Sequence, residues 1–365
     1  MAQLFFTSSL IPNKKVFSLE QLFEFVNPAD IILVFDTNLV IYYRDLYLNS
    51  KRVSTTDELS DIYLILRYLV EQIHGYDLEV NASIGVDESS RQKEDFSLNM
   101  EKFKQTQLAL ICLFSMDIEK LDEYIKKEIV IEPVITKGNS TLSKINSLSQ
   151  ISIFQNPLII SYVAALKIFI LHNKLSKKVI TPREAYEEFY LFLAKEINCI
   201  GATLIMFALH LFGGVEEFKA MLFTKAKASK EDKIHQLFNG AIDLIYPYIV
   251  NKIQEIFPTL NNSKKLIPVF VSTDKRLSTL HSLINTKMIF ESSDEINYNP
   301  ELTEVSFFDN MNWTNDDLAF FRELHIKDLD NRFDTFFSGG RDAKHLLEIV
   351  EKYEKVVFEL LKNKK

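Results

Sequence analysis

The apolar positions along this chain alternate between two kinds of pattern. Ile31-Ile32-Leu33-Val34-Phe35 is an uninterrupted apolar run that stops at Asp36-Thr37-Asn38. Such a run, rich in β-branched and aromatic residues, is too short for a helix and reads as a strand buried on both faces. Asp36 then stands at the carboxyl end of the strand, where open α/β sheets place their ligand crevices. The same position suits a carboxylate that caps the following helix, and this stretch alone does not choose between the two. A second run, Leu266-Ile267-Pro268-Val269-Phe270-Val271-Ser272, has the same character and ends in Thr273-Asp274. Leu78 to Ala82 and Lys287 to Phe290 give shorter strand signals.

Elsewhere the period is helical. Ser18 is a capping signal for a short helix from Leu19 to Val26, and Thr37 to about Leu46 is open to helix or loop. Leu59, Ile62, Ile65, Leu66, Leu69, Val70 and Ile73 fall on one helical face that opens at Asp57-Glu58, with Gly75 as the expected stop. Ser83 is placed to cap a helix through Ile84 and Glu88 to Arg91. Strand, helix, strand, helix predicts a parallel sheet with right-handed crossovers.

From about Glu94 to Lys230 helical patterns dominate: Leu108 to Phe114, Pro157 to Leu171, Ala185 to Ile197 and Ile200 to Leu211. Thr181-Pro182-Arg183-Glu184 is a strong helix start, and Gly213-Gly214 ends the most apolar helix. Ile129 to Ile135 is a marginal strand, Gly138 to Ser152 reads as an exposed loop, and His172 and His210 read as core residues. Ile234 to Phe257 is helical, with Asn239 and Asp243 one turn apart on one face. Lys275 to Leu283 fits a helix. Residues 296–365 read as an irregular segment around Trp313 followed by a helix from Asp342 to Lys362.

Composition narrows the chemistry. With 47% hydrophobic and 25% charged residues, the 365-residue chain has the profile of a folded protein with room for a large core. Cys112 and Cys199 lack any CxxC or Cys/His spacing, which argues against a zinc site and a disulfide framework. No glycine-rich phosphate cradle is present. The N-terminus lacks a basic region followed by a long apolar stretch, so a cytoplasmic location is expected. Ile197 to Phe212 is apolar but too short to span a membrane, and it reads as a buried helix. A net charge of −8 argues against a protein that coats nucleic acid through a general basic surface. It does not exclude a nuclease, whose centre needs carboxylates.

Four acids stand where an α/β sheet would gather them. Asp36 and Asp274 each close a buried strand, whereas Glu88 and Asp243 each lie on a flanking helix; Glu79 and Asp87 are alternatives to Glu88. This ordered set resembles the PIN-like nuclease family: a strand ending in Asp-x-Asn, here Asp36-Thr37-Asn38, a helical Glu, a helical Asp, and a strand ending in Thr-Asp. Val269-Phe270-Val271-Ser272-Thr273-Asp274-Lys275-Arg276-Leu277 is the strongest part of the match. The resemblance covers roughly residues 28–95 and 231–292. A typical member is far shorter, and the spacing from Asp243 to Asp274 is long.

The resemblance implies a three-layer α/β/α fold with a central, mostly parallel sheet. It places a discontinuous nuclease domain at 1–95 and 231–295, a helical insertion at 96–230 and a helical extension at 296–365. It implies a metal-dependent nuclease, an endoribonuclease foremost, with Mg2+ or Mn2+ held by Asp36, Glu88, Asp243 and Asp274. These hard cations take carboxylate oxygens and water and leave positions open for a phosphate. Thr37, Asn38 and Thr273 would orient the ligands, and Arg44, Lys275 and Arg276 would meet substrate phosphates. RNA is the expected partner, with a protein partner or self-association through the insertion as a further expectation and no membrane. The competing reading is a binding or regulatory module that has the fold without turnover.

Overall fold

A computed structural model describes residues 3–11, 16–48, 57–92, 97–126, 155–223, 228–251, 253, 266–289, 301–305, 311–327 and 343–362. The chain is an α/β protein, mostly helical, with a small mixed sheet. It divides into two compact units, Met1–Ile151 with Ile249–Ser282, and Ser152–Tyr248 with Leu283–Lys365.

The first unit opens with β1 (Phe5–Thr7) and α1 (Leu19–Phe23), where the Ser18 side chain accepts from Gln21 N–H at 3.3 Å, the cap expected of it. A 3-10 turn at Pro28–Asp30 leads into β2 (Ile31–Phe35), all five of whose residues are buried. The open choice at Thr37 resolves as helix α2 (Thr37–Leu48). Helix α3 (Asp57–Tyr76) runs through Gly75 rather than stopping there; Asp77, with φ 51°, makes the left-handed exit instead. Next come β3 (Glu79–Asn81) and α4 (Ser83–Ser89). Ser83 is the first helical residue and not its cap: Asn81 Oδ1 accepts its N–H at 3.1 Å. Helices α5 (Met100–Phe114) and α6 (Ile118–Lys126) follow.

The second unit holds α7 (Gln155–Ser176), α8 (Pro182–Phe192), a π turn at Leu193–Ile197, α9 (Ala202–Phe212), α10 (Glu216–Leu222) and most of α11 (Lys230–Asn251), whose last three residues count with the first unit. The capping box at Thr181 and Glu184 is formed as expected. The apolar stretch from Ile197 is broken at Asn198, φ 54°, and α9 behind it is buried from Thr203 to Phe212. Among the described residues one helical stretch, Pro157–Ser176, is long and apolar enough to cross a membrane, and 72% of its apolar window is buried inside the protein. The chain returns to the first unit for β4 (Ile267–Ser272) and α12 (Lys275–Ser282), then adds β5 (Ile284–Ile289), β6 (Glu301–Val305), α13 (Asn315–Lys327) and α14 (Ala343–Lys362) to the second.

Strand order in the main sheet is β1-β4-β2-β3. β2 runs parallel to β3 and to β4, and only β1, on the edge, is antiparallel. Because successive side chains alternate faces, Ile31, Leu33 and Phe35 join Val269 and Val271 in a core with α2, α3, α5 and α6. On the opposite face Phe270 meets His281 of α12, ring centroids 5.4 Å apart, and His281 Nδ1 bonds Thr7 Oγ1 at 2.8 Å. Helices therefore cover both faces of β4.

Two expectations need correction. The strand expected at Lys287 to Phe290 is β5, which pairs antiparallel with β6 in a separate two-stranded sheet and adds nothing to the main one. The segment around Trp313 is followed by a helix, α13; Trp313 Nε1 donates to Leu209 O at 3.0 Å, so the indole closes the end of α9. Within the 96–230 stretch, α5 and α6 pack in the first unit's core. The marginal strand at Ile129 to Ile135 and the loop from Gly138 to Ser152 lie outside the described residues.

Candidate active site

Asp36 and Asp274 follow two strands that are parallel neighbours, so both acids emerge at the same edge of the sheet. Asp36 is buried, at 2% exposure. Its N–H donates to Val271 O at 3.0 Å, continuing the β2–β4 ladder one step past the strand, and its carbonyl accepts from Val40 N–H at 3.2 Å as α2 begins. The carboxylate is held from two sides: Ser272 Oγ donates to Oδ2 at 2.6 Å and Asn38 Nδ2 donates at 3.4 Å. Ser272 is fully buried, and its oxygen in turn accepts Asp274 N–H at 2.9 Å. One hydroxyl thus ties the two acids' segments together.

Glu88 arrives from the next crossover. Gly85, one turn earlier on α4, lets that helix ride directly over α2: a Cβ there would lie 2.7 Å from Val40 Cγ2 and 3.1 Å from Thr37 Cα. At this close approach the Thr37 hydroxyl donates to Glu88 Oε2. The alternatives to Glu88 do different work. Asp87 is bound to Arg91 one turn on, at 2.7 Å, and Glu79 sits within β3.

The electrostatics report crowding. Burial pushes Asp36 up to about 6 against the hydrogen bond from Ser272, and the charge of Asp274 adds to the rise. Burial also pushes Glu88 up to about 8; Thr37 opposes this, while the charges of Asp36 and Asp87 reinforce it. Asp274 goes the other way. Burial raises it, but the hydrogen bonds and charge of Arg276 outweigh burial and hold it below the usual range. Both Asp274 oxygens are engaged: Oδ1 accepts Arg276 N–H at 2.7 Å, Leu277 N–H at 3.4 Å and Arg276 Nε at 3.2 Å, and Oδ2 accepts Arg276 Nη2 at 2.8 Å.

Of the four expected acids, Asp36, Glu88 and Asp274 belong to the first unit, and Asp243 lies on the part of α11 that belongs to the second. Thr37 and Asn38 contact the carboxylates as expected, but the orienting role assigned to Thr273 falls to Ser272. Asp36 and Ser272 come next in register after the pair Phe35 and Val271, so their side chains share one face of the sheet. The sequence signal was present, since Ser272 is the one polar residue within β4. Arg44 is taken up by its neighbour Asp45, with Nη2 to Oδ1 at 3.1 Å. Lys275 is exposed and Arg276 is occupied with Asp274.

The donor set is purely carboxylate and hydroxyl oxygen, which fits a hard divalent cation in kind. Among the described residues, no three His, Cys, Asp or Glu side chains form a ready metal cage. Comparison of the chain with protein-family models, with curated proteins and with solved structures finds no match.

Proposed function

We propose that the first unit is a metal-dependent nuclease centre acting on RNA, built on a PIN-like three-layer α/β/α fold. What carries the reading is a single arrangement: Asp36 and Asp274 at the carboxyl ends of adjacent parallel strands, with Glu88 brought to Thr37 by the next crossover. Asp36 is raised by burial and the charge of Asp274, and Glu88 by burial and the charge of Asp36, a cost that a bound cation would relieve. Asp36, Glu88 and Asp274 would hold Mg2+ or Mn2+. When bound, the ion would acidify a coordinated water and neutralise charge on the phosphodiester.

The chain's own groups have distinct tasks. Ser272 and Thr37 fix the rotation of the Asp36 and Glu88 carboxyl groups by donating to one oxygen of each. Asp36 and Glu88 give up their protons as the cation enters, which makes binding pH-dependent. Asn38, exposed at the start of α2, steadies Asp36 from the solvent side. Lys275 and Arg276, in the first turn of α12, would meet a substrate phosphate.

The test is cleavage of labelled RNA and matched DNA by the full chain with Mg2+, Mn2+ or chelator. Asp36→Asn and Glu88→Gln should each cut the rate by on the order of a hundredfold or more, as loss of metal-site groups does, with circular dichroism unchanged. Cleavage that persists in chelator, or in both variants, overturns the proposal.

One observation favours a second reading. Asp274 is already satisfied by Arg276 and by the α12 backbone. A module without turnover, working through its helical second unit on a protein partner or a second copy, would retain such a pair. Calorimetry with Mn2+ separates the two, because that module would give no carboxylate-dependent heat at near-millimolar metal.

A further inference from the structure

The geometry points to Arg276 as an exchangeable clasp that occupies Asp274 in the metal-free chain and transfers to a substrate phosphate when a divalent cation takes its place. The inference rests on the nuclease reading for its second half only. Asp274 is held by two kinds of donor. Backbone N–H groups of Arg276 and Leu277 anchor Oδ1, the ordinary work of a residue at a helix start. The Arg276 guanidinium grips both oxygens, with Nε to Oδ1 at 3.2 Å and Nη2 to Oδ2 at 2.8 Å. If the guanidinium rotates away, the backbone bonds to Oδ1 remain and Oδ2 loses its Arg276 donor, on a carboxylate whose charge Asp36 already senses.

The clasp can move. The Arg276 side chain is 43% exposed and Asp274 23%, so the pair is partly solvated and weakly held. Exposed ion pairs contribute little, whereas a divalent cation between opposed carboxylates gains from both. A guanidinium fork also fits a phosphate as well as a carboxylate, so the group displaced from Asp274 remains at the site's rim with its donors ready.

The experiment measures Mn2+ affinity of the full chain by calorimetry for wild type, Arg276→Gln, Arg276→Lys and Lys275→Gln, with thermal unfolding to confirm folding. The last variant removes the same charge one residue away, without the fork. The clasp requires Arg276→Gln to bind Mn2+ roughly two- to fivefold tighter than Lys275→Gln, the scale of a released exposed pair. Arg276→Lys should lie between Arg276→Gln and wild type. Equal affinities for Arg276→Gln and Lys275→Gln, weaker binding by Arg276→Gln, or no binding by any variant overturns the clasp. In the RNA assay Arg276→Gln should raise KM while needing less metal. If wild type does not cleave RNA, the nuclease reading falls, and the Mn2+ comparison still decides the clasp.

Discussion

A carboxylate at the start of a helix accepts from the free backbone N–H groups there, a contact that favours its ionised form. Asp36 and Asp274 both stand at such positions, yet burial overrides this for Asp36 and not for Asp274. Ser272 and Thr37 then decide which oxygen of Asp36 and Glu88 is fixed and which is left to act. The consequence is a definite pH dependence. Asp36 near 6 and Glu88 near 8 both lie above their ordinary values of 3.8 and 4.5. Raised carboxyl groups mean that the folded state binds more protons, so their contribution is fully present below about pH 4 and is lost as pH rises through 6 and then 8. Without metal, Glu88→Gln should gain melting temperature relative to wild type on going from pH 5 to pH 8, by a few degrees. Added Mn2+ should shrink that difference. A difference that stays flat across this range would show that Glu88 is not buried among like charges.

Between elements, the contact that assembles the site is the crossing of α4 over the first turn of α2, and Gly85 is what permits it. Gly85→Ala removes a helix-interior glycine, worth about 1 kcal/mol in propensity. It also drives a Cβ against Val40, a β-branched and fully buried side chain with little room to rotate, and against the Thr37 backbone. Overpacking of this kind costs about 1–3 kcal/mol, so steric repulsion should win and the variant should unfold at lower denaturant. Because α4 must retreat, Mn2+ affinity should fall in the same variant even at temperatures where it is fully folded; undiminished affinity would detach Glu88 from the site. This crossing was not legible in the chain. A single glycine in a seven-residue helix carries no sign of what lies above it, whereas β2 and β4 were legible because buried parallel strands need uninterrupted apolar runs. Ser83 shows the same limit from another side: its hydroxyl suits a cap, but Asn81, two residues earlier and at the strand end, reaches the free N–H first.

At the scale of the chain, what periodicity cannot show is which helices share a core. The apolar stripe of α5 is that of any amphipathic helix, and only packing assigns it to the sheet of the first unit rather than to the helices of the second. Net charge is legible at this scale and constrains how RNA could bind. With −8 overall, a general basic surface is disfavoured, so the proposed RNA contacts fall to local cations. Lys275 and Arg276 stand at the start of α12, next to Asp274. Two or three phosphate contacts on a single strand give a slope of about −1 to −2 for log affinity against log salt. Binding of a catalytically silent Asp36→Asn variant to single-stranded RNA, measured across a salt series, should fall within that range, and Arg276→Gln should make the slope shallower by nearly one contact. A slope near −5 would require about seven neutralised phosphates, more than this edge can offer, and would move the RNA to another surface of the molecule.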